Sequence, residues 1–399
     1  MRIRITVTAC LLLAAIQVAA QKKELSQART YLKSGKDFDK AEKLMTNLLK
    51  DSANRGNLRI YRTWFEAVKA QYNAANETLY LNQKYDTAAF FNLTRHLFDV
   101  GLLTDSVDAL PDKKGRVRPS LRKDNAELLS QLRPNLYFGG TYFIRKNDFM
   151  TAFDCFDHYI DAARKPLLAA YPAQERDTLT PQAAYWATYC GFKLNDTDKT
   201  LRYARLALQD HDKMAFTLQY LCEAHLAQKN DSAYISTLCQ GFDMFPQSTY
   251  FFPRLVDHYK RAGDFSRMIS LADKGLAVDK DNTLFLLAKS IALLNLERYQ
   301  ECVSVSRRMI TLNDTLPEPY FNIATSYLNQ ALAVEQENEP RKNFQRLREL
   351  YTQAKPYMED YRRLAPDSMS LWAPGLYRIY LNLNMGRQFD EIDKLMRKQ

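Results

Sequence analysis

The residues able to do chemistry in this chain are few and scattered. The histidines are His96, His158, His211, His225 and His258. Asp154 and His158 stand four residues apart with Asp157 beside His158, a spacing that would set two metal ligands on one helical face. A surface or capping histidine is the simpler reading. His225 falls on an apolar stripe and reads as a core residue, and Asp257-His258-Tyr259 has no nucleophile at a telling distance. The sequence has no Gly-rich phosphate loop, no CxxC and no HExxH. Asn-x-Ser/Thr triplets such as Asn313-Asp314-Thr315 accept glycans only in a eukaryotic secretory pathway. The expectation is therefore no catalytic residue, no metal and no cofactor, hence not an enzyme.

Cys155, Cys190, Cys222, Cys239 and Cys302 follow residue 20, and an odd number cannot all pair internally. Free thiols are the first reading. One disulfide, Cys222 with Cys239 as the nearest in sequence, is the alternative. The composition is 46% hydrophobic and 26% charged, as in ordinary globular proteins. Only 12 glycines in 399 residues argue against a turn-rich β protein and for helices.

The N-terminus, MRIRITVTACLLLAAIQVAAQ, has Arg2 and Arg4 ahead of an apolar run from Val7 to Ile16. Residues 1–20 read as a secretory signal cleaved after Ala20, and the run is too short to span a bilayer. Val7-Thr8-Ala9-Cys10 imitates a lipoprotein box, but Cys10 precedes the end of the apolar run. The expected destination is the periplasm of a Gram-negative envelope, or secretion. Removing the segment takes away two arginines and no acid, so the net charge falls from +10 to +8. That permits contact with an anionic surface or an acidic partner, without pointing to nucleic acid. No transmembrane segment is expected after the signal.

Three consecutive blocks, Met214–Gln247, Ser248–Asp281 and Asn282–Thr315, are each 34 residues long. Each reads as two amphipathic helices joined by a short polar turn. The second block supplies Phe252, Leu255, Val256, Tyr259, Gly263, Phe265, Ala272 and Gly275; the first Leu218, Leu221, Cys222, His225, Gly241 and Pro246; the third Leu286, Ser290, Leu293, Tyr299 and Cys302. In this spacing and in these bulky, small and aromatic positions the chain resembles the tetratricopeptide repeat. Lys289 and Asp231 depart from the pattern. The resemblance implies an all-α fold, a right-handed superhelical solenoid of antiparallel helix pairs.

Extended outward, the pattern predicts divergent helix pairs over 21–110, a basic linker over 111–124 (with Lys113, Lys114, Arg116, Arg118, Arg122 and Lys123), and a regular array over 125–368. Insertions interrupt the array near 162–179 and 335–350, and 369–399 closes it as a capping pair with a polar end.

The resemblance also implies that first helices line a concave groove that grips a peptide or helix of a partner. In this sequence the groove residues are Tyr185 and Tyr189, then Tyr250 and Asp257, then Leu284, Leu287 and Ile291, then Phe321 and Asn322. Asn322 falls where family members often bond a bound peptide backbone. The cationic set that clamps a terminal carboxylate in some members is missing. The groove is aromatic and aliphatic, and an apolar patch of this kind marks a binding site, unless the 336–350 segment fills it. The leading expectation is an exported scaffold that binds a protein or peptide in the cell envelope. The alternative is a glycan-binding component of an outer-membrane nutrient-uptake system, with Tyr185, Tyr189 and Tyr250 as sugar platforms.

Overall fold

The computed structural model describes residues 21–81, 86–169, 177–337 and 340–397. The expected signal, 1–20, lies outside the described residues. Every regular element among them is helical, and none of these helices is long and apolar enough to cross a membrane. The chain divides into two compact units, residues 1–234 and 235–399, with the boundary inside the Met214–Gln247 repeat.

In the first unit, residues 21–34 form α1 and Phe38–Leu48 form α2. Leu25, Ala28, Ala41 and Met45 close their shared core. Within the divergent pairs expected over 21–110 stands a long antiparallel pair, α3 (Leu58–Tyr80) and α4 (Thr87–Asp108), of 23 and 22 residues. Surplus length is taken up as extra helical turns. The basic linker is shorter than expected, because α5 (Arg122–Leu132) begins inside it. The Leu121 N–H donates to Asp108 at 2.6 Å and the Arg122 guanidinium donates twice to Asp105, at 2.7 and 2.9 Å, which fixes where the loop ends. Regular pairing starts with α6 (Pro134–Arg145) and α7 (Phe149–Ala162); Pro134 at the first helical turn lacks only an N–H that would go unpaired there. The short α8 (Pro166–Ala169) lies in the expected 162–179 insertion, whose residues 170–176 are outside the described ones.

Next come α9 (Leu179–Lys193) and a second helix broken into α10 (Thr197–Arg202) and α11 (Ala204–Ala207). The break is at Tyr203, with φ −117°, where the buried phenol donates to Asp157 at 2.7 Å. The unit ends with α12 (Met214–Ala227).

The second unit holds most of α13 (Asp231–Met244), then α14 (Phe251–Arg261), α15 (Phe265–Val278), α16 (Thr283–Asn295) and α17 (Tyr299–Leu312). It continues with α18 (Glu318–Gln336), α19 (Pro340–Leu364), α20 (Met369–Asn382) and α21 (Gly386–Met396). In the 335–350 insertion, whose residues 338 and 339 are outside the described ones, 335–336 end α18 and 340–350 open α19, two lengthened helices of 19 and 25 residues. Its Gln-, Arg-, Leu- and Glu-rich sequence favours helix, and Tyr351 is fully buried. The Tyr351 hydroxyl donates to Glu335 at 2.6 Å and accepts from Arg378 Nε at 3.0 Å. Arg378 also pairs with Glu335, which ties the added turns to α20.

One turn recurs within the pairs. Asn147, Asn195, Lys229, Gly263, Glu297 and Asn384 all have φ between 53° and 68°. In each case the next N–H donates to the carbonyl five residues back: Asp148 to Phe143, Asp196 to Gly191, Asn230 to His225, Asp264 to Tyr259, Arg298 to Leu293 and Met385 to Tyr380, all at 2.9–3.0 Å. A left-handed residue closing a 6→1 bond satisfies the last carbonyls of the first helix. The Asp148, Asp196, Asn230 and Asp264 side chains then accept an N–H at 3.0–3.1 Å from the first turn of the second helix. This unit of turn and cap sets the repeating rhythm that the sequence displays.

Candidate partner-binding surface

In the first unit α9 presents Tyr185 and Tyr189. Tyr185 is only 6% exposed; its ring lies 4.9 Å from Trp186 and 6.3 Å from Tyr220 of α12, and burial pushes its phenol well above the usual range. Tyr189 is half-buried, within 5.7–5.9 Å of Phe149, Trp186 and Tyr220. Phe192 stacks on Tyr220 at 4.7 Å. These rings form a packed cluster with one another rather than an open platform, which corrects the expectation for Tyr185. Sequence register put Tyr185 on the right helix, but Tyr220, from the next repeat, covers it.

In the second unit the expected residues part company. Tyr250, just before α14, is half-buried, and the Arg254 guanidinium covers its ring at 3.7 Å. Asp257 is exposed. On α16, Leu284, Leu287, Ile291 and Leu294 recur at helical spacing along one face. Leu284 is 45% exposed, and the other three are half-buried. The opposite face of α16 sends Phe285, Leu286 and Leu293 into the core. Phe321 of α18 turns to its own partner helix, 5.0 Å from Tyr361.

Asn322 is a second correction. It is 4% exposed, and its side-chain amide donates to Ser290 Oγ of α16 at 2.8 Å. The Cys302 thiol donates to the Ser290 carbonyl at 3.3 Å, and Ser326 Oγ donates to the Asn322 carbonyl at 2.7 Å. Asn322 therefore closes a buried polar seam between α16, α17 and α18, and its amide is committed within the fold. Ser290 and Cys302 were legible as small core positions; their pairing to Asn322 was not.

The Asp154–His158 pair does not converge. His158 Nδ1 lies 2.6 Å from the Asp154 carbonyl and Nε2 lies 2.8 Å from Asp99, while the Asp154 carboxylate faces Arg95 at 3.4 Å. Both ring nitrogens of His158 are engaged, and no group of three metal-ligating side chains occurs among the described residues. A second polar knot surrounds Glu42, which accepts from Trp64 Nε1 at 3.1 Å and Gln71 Nε2 at 2.6 Å and lies 2.5 Å from His96 Nε2. Cys155, Cys190, Cys222, Cys239 and Cys302 are all unbridged, which removes the Cys222–Cys239 alternative. Burial pushes the Cys155 and Cys190 thiols up to about 12, so they stay protonated and unreactive at neutral pH.

No protein-family model matches the chain, and no significant match is found among curated proteins. Among solved structures it is similar to the C-terminal part of a TPR repeat-containing protein from Cytophaga hutchinsonii, at 13% identity and TM-score 0.42, over 65% of this chain and 93% of that one. It is similar to yeast Tom70 at 13% identity and TM-score 0.34, over 95% of this chain and 92% of that one. It is also similar to the apo form of RapI at 12% identity and TM-score 0.33, over 95% and 98% of the two chains. The fold is tetratricopeptide-like. The 34-residue helix pairs and their shared turn carry that assignment. In this setting the α16 face, with Leu284 exposed and Leu287, Ile291 and Leu294 partly so, is the candidate surface.

Proposed function

We propose that this chain is a non-enzymatic scaffold, exported to the periplasm, that binds a protein or peptide partner along the first-helix face of its second unit. The observation that carries the reading is the α16 strip. Leu284, Leu287, Ile291 and Leu294 share one face while Phe285, Leu286 and Leu293 fill the core, and that face keeps Leu284 exposed and part of the other three in water. The apolar side of an amphipathic helix, laid with its own residues at helical spacing, fits such a strip. Asp257, exposed on α14, supplies the one fixed charge among the expected contact residues and suits a basic residue on the partner. Export rests on the signal-like character of residues 1–20.

The test is capture of envelope proteins by the purified chain and by a Leu287→Asp, Ile291→Asp variant. The variant is expected to keep its helical circular dichroism and to lose its partner by at least about 30-fold, since burying even an uncharged polar group without a partner costs roughly 1–3 kcal/mol and a carboxylate costs more. A folded variant that retains every partner at equal strength rules the α16 face out. Fractionation tests export separately: a chain beginning at Gln21 in the periplasm is expected, and uncleaved chain in the cytosol overturns it. The glycan reading finds no support in the rings that would serve it, since Tyr185, Tyr189 and Tyr250 are packed on neighbouring side chains.

A further inference from the structure

The loop between α4 and α5, residues 109–121, has an arrangement that a mere connector does not require. Its tip is closed. The Gly115 N–H donates to the Asp112 carbonyl at 2.8 Å, and the Asp112 N–H donates to the Arg116 carbonyl at 3.0 Å. One Asp112 oxygen accepts the Lys114 and Arg116 N–H groups at 2.8 and 3.0 Å, and the other accepts the Arg116 guanidinium at 3.0 and 3.1 Å. The feet are closed as well: Asp108 takes Ser120 and Leu121, and Asp105 takes Arg122. Asp105, Asp108 and Asp112 are thus all engaged within the loop and its flanks, and Asp124 is an exposed carboxylate beside the patch. Arg116 and Arg122 are engaged with them, but four other cations are not. Lys113, Lys114, Arg118 and Lys123 are exposed and have no carboxylate partner among the described residues.

Two further exposed cations, Arg59 and Arg62, lie in the first turns of α3. The Thr104 hydroxyl, near the C-terminal end of α4, reaches the Tyr61 carbonyl at 3.5 Å, so those turns sit at the end of the pair from which the loop emerges. Among these charges two apolar side chains stand in water: Val117, between Arg116 and Arg118, is 56% exposed, and Leu110 is 53% exposed.

We infer that this basic end of the first unit, centred on Lys113, Lys114, Val117 and Arg118, docks onto a bilayer surface rich in anionic phospholipid. Uncompensated cations draw the loop to negative headgroups, and Val117 and Leu110 enter the boundary between headgroups and acyl chains. A soluble polyanion would satisfy the charges and leave those two side chains in water, so the bilayer is the better match. The closed tip means that little conformational freedom is lost on contact. This surface is separate from the α16 face and does not depend on that reading.

The test is cosedimentation of the chain from Gln21 onward, as the proposed export leaves it, with vesicles of phosphatidylcholine and phosphatidylglycerol at about 3:1, and with vesicles of phosphatidylcholine alone, in about 50 mM NaCl, where surface charge is weakly screened. The apolar run from Val7 to Ile16 is thus absent from every arm. Binding to the anionic vesicles alone is expected. The Lys113→Gln, Lys114→Gln, Arg118→Gln variant is expected to bind about 100-fold more weakly, near fivefold per cation, with unchanged circular dichroism because all three residues are exposed. A matched removal of charge from the second unit, Lys260→Gln, Arg261→Gln, Lys280→Gln, is expected to change binding less than about threefold. Val117→Ser is expected to weaken vesicle binding and leave retention on heparin unaltered. Equal binding by the loop variant, or equal loss in the matched variant, overturns the assignment. Heparin retention without vesicle binding, or vesicle binding indifferent to Val117→Ser, overturns the bilayer in favour of a soluble polyanion.

Discussion

At Gly191 two helices meet through their backbones. A Cβ there would lie 2.4 Å from the Thr200 nitrogen and 2.6 Å from the Lys199 carbonyl carbon, whereas a Cβ on Gly275 would lie 2.7–2.8 Å from atoms of the Phe285 ring. A ring can shift by a few tenths of an ångström; a helix backbone cannot move without its neighbours. Gly275→Ala should cost about 1–3 kcal/mol through overpacking, and Gly191→Ala should cost more, both read from urea midpoints. Equal midpoints for the two would mean that α10 slides freely. Two histidines make a pH-dependent contribution. The bond to Glu42 raises His96 above 6.5. Burial works to lower His158, but Asp99 and the Asp154 carbonyl outweigh it and also raise that residue above 6.5. A raised histidine contributes fully below its unfolded value and loses that contribution as pH rises through its folded value. Glu42 has the opposite sign: burial raises it, but His96, Gln71 and Trp64 together bring it below 4.5, so its share is lost as pH falls through that lowered value. Replacing both histidines by Gln should therefore cost more at about pH 6 than at about pH 9, by roughly 0.5–1 kcal/mol since both pairs are solvent-screened. A pH-independent difference in urea unfolding would remove the two histidines from the account. Neither knot was legible in the sequence, because Glu42 and His96 come from different helix pairs and their meeting is a matter of tertiary packing.

Among the elements, the turn inside each pair explains why the period could be read at all. The pairs in the 34-residue blocks turn through the same left-handed residue and 6→1 bond, and that geometry fixes the spacing whatever residues stand there. It also creates a local penalty where the left-handed residue has a side chain, on the order of 1 kcal/mol. Glu297→Gly should relieve that strain at φ 60° and, after the entropy of an added glycine, raise stability by about 0.5 kcal/mol, visible as a higher melting temperature. A lower melting temperature would mean that the Glu297 side chain makes a contact worth more than the strain. The 335–350 segment was harder. A polar surplus looks the same whether it loops or lengthens a helix, and the fixed period favours a loop. Only Leu347, Tyr351, Ala354 and Met358, spaced as a helical stripe and packed into the core or against it, separate the two, and their Glu335 and Arg378 partners lie on other helices. The break at Tyr203 likewise depends on Asp157, 46 residues away.

For the whole molecule, the two proposed surfaces differ in physics as well as in place. The α16 strip is apolar, so partner capture there should change little between about 50 and 500 mM NaCl, whereas vesicle binding through the 109–121 loop should fall steeply over the same range. A partner lost in high salt would assign that contact to charge rather than to Leu287 and Ile291. The succession of helix pairs was legible because it repeats, and each block confirms its neighbours. The openness of the surface was not, because whether Tyr185 faces water is decided by Tyr220 in the next repeat, and whether Asn322 is free is decided by Ser290 in the one before. The recurring turn has a consequence for descent. Its left-handed position is filled by Asn, Lys, Gly or Glu, so a lineage can rewrite that letter almost at will while the backbone keeps its shape. At Gly191 no such latitude exists. Distant kin of this chain should therefore be recognisable by the distance between their turns long after the letters have changed, with one glycine among the last to be lost.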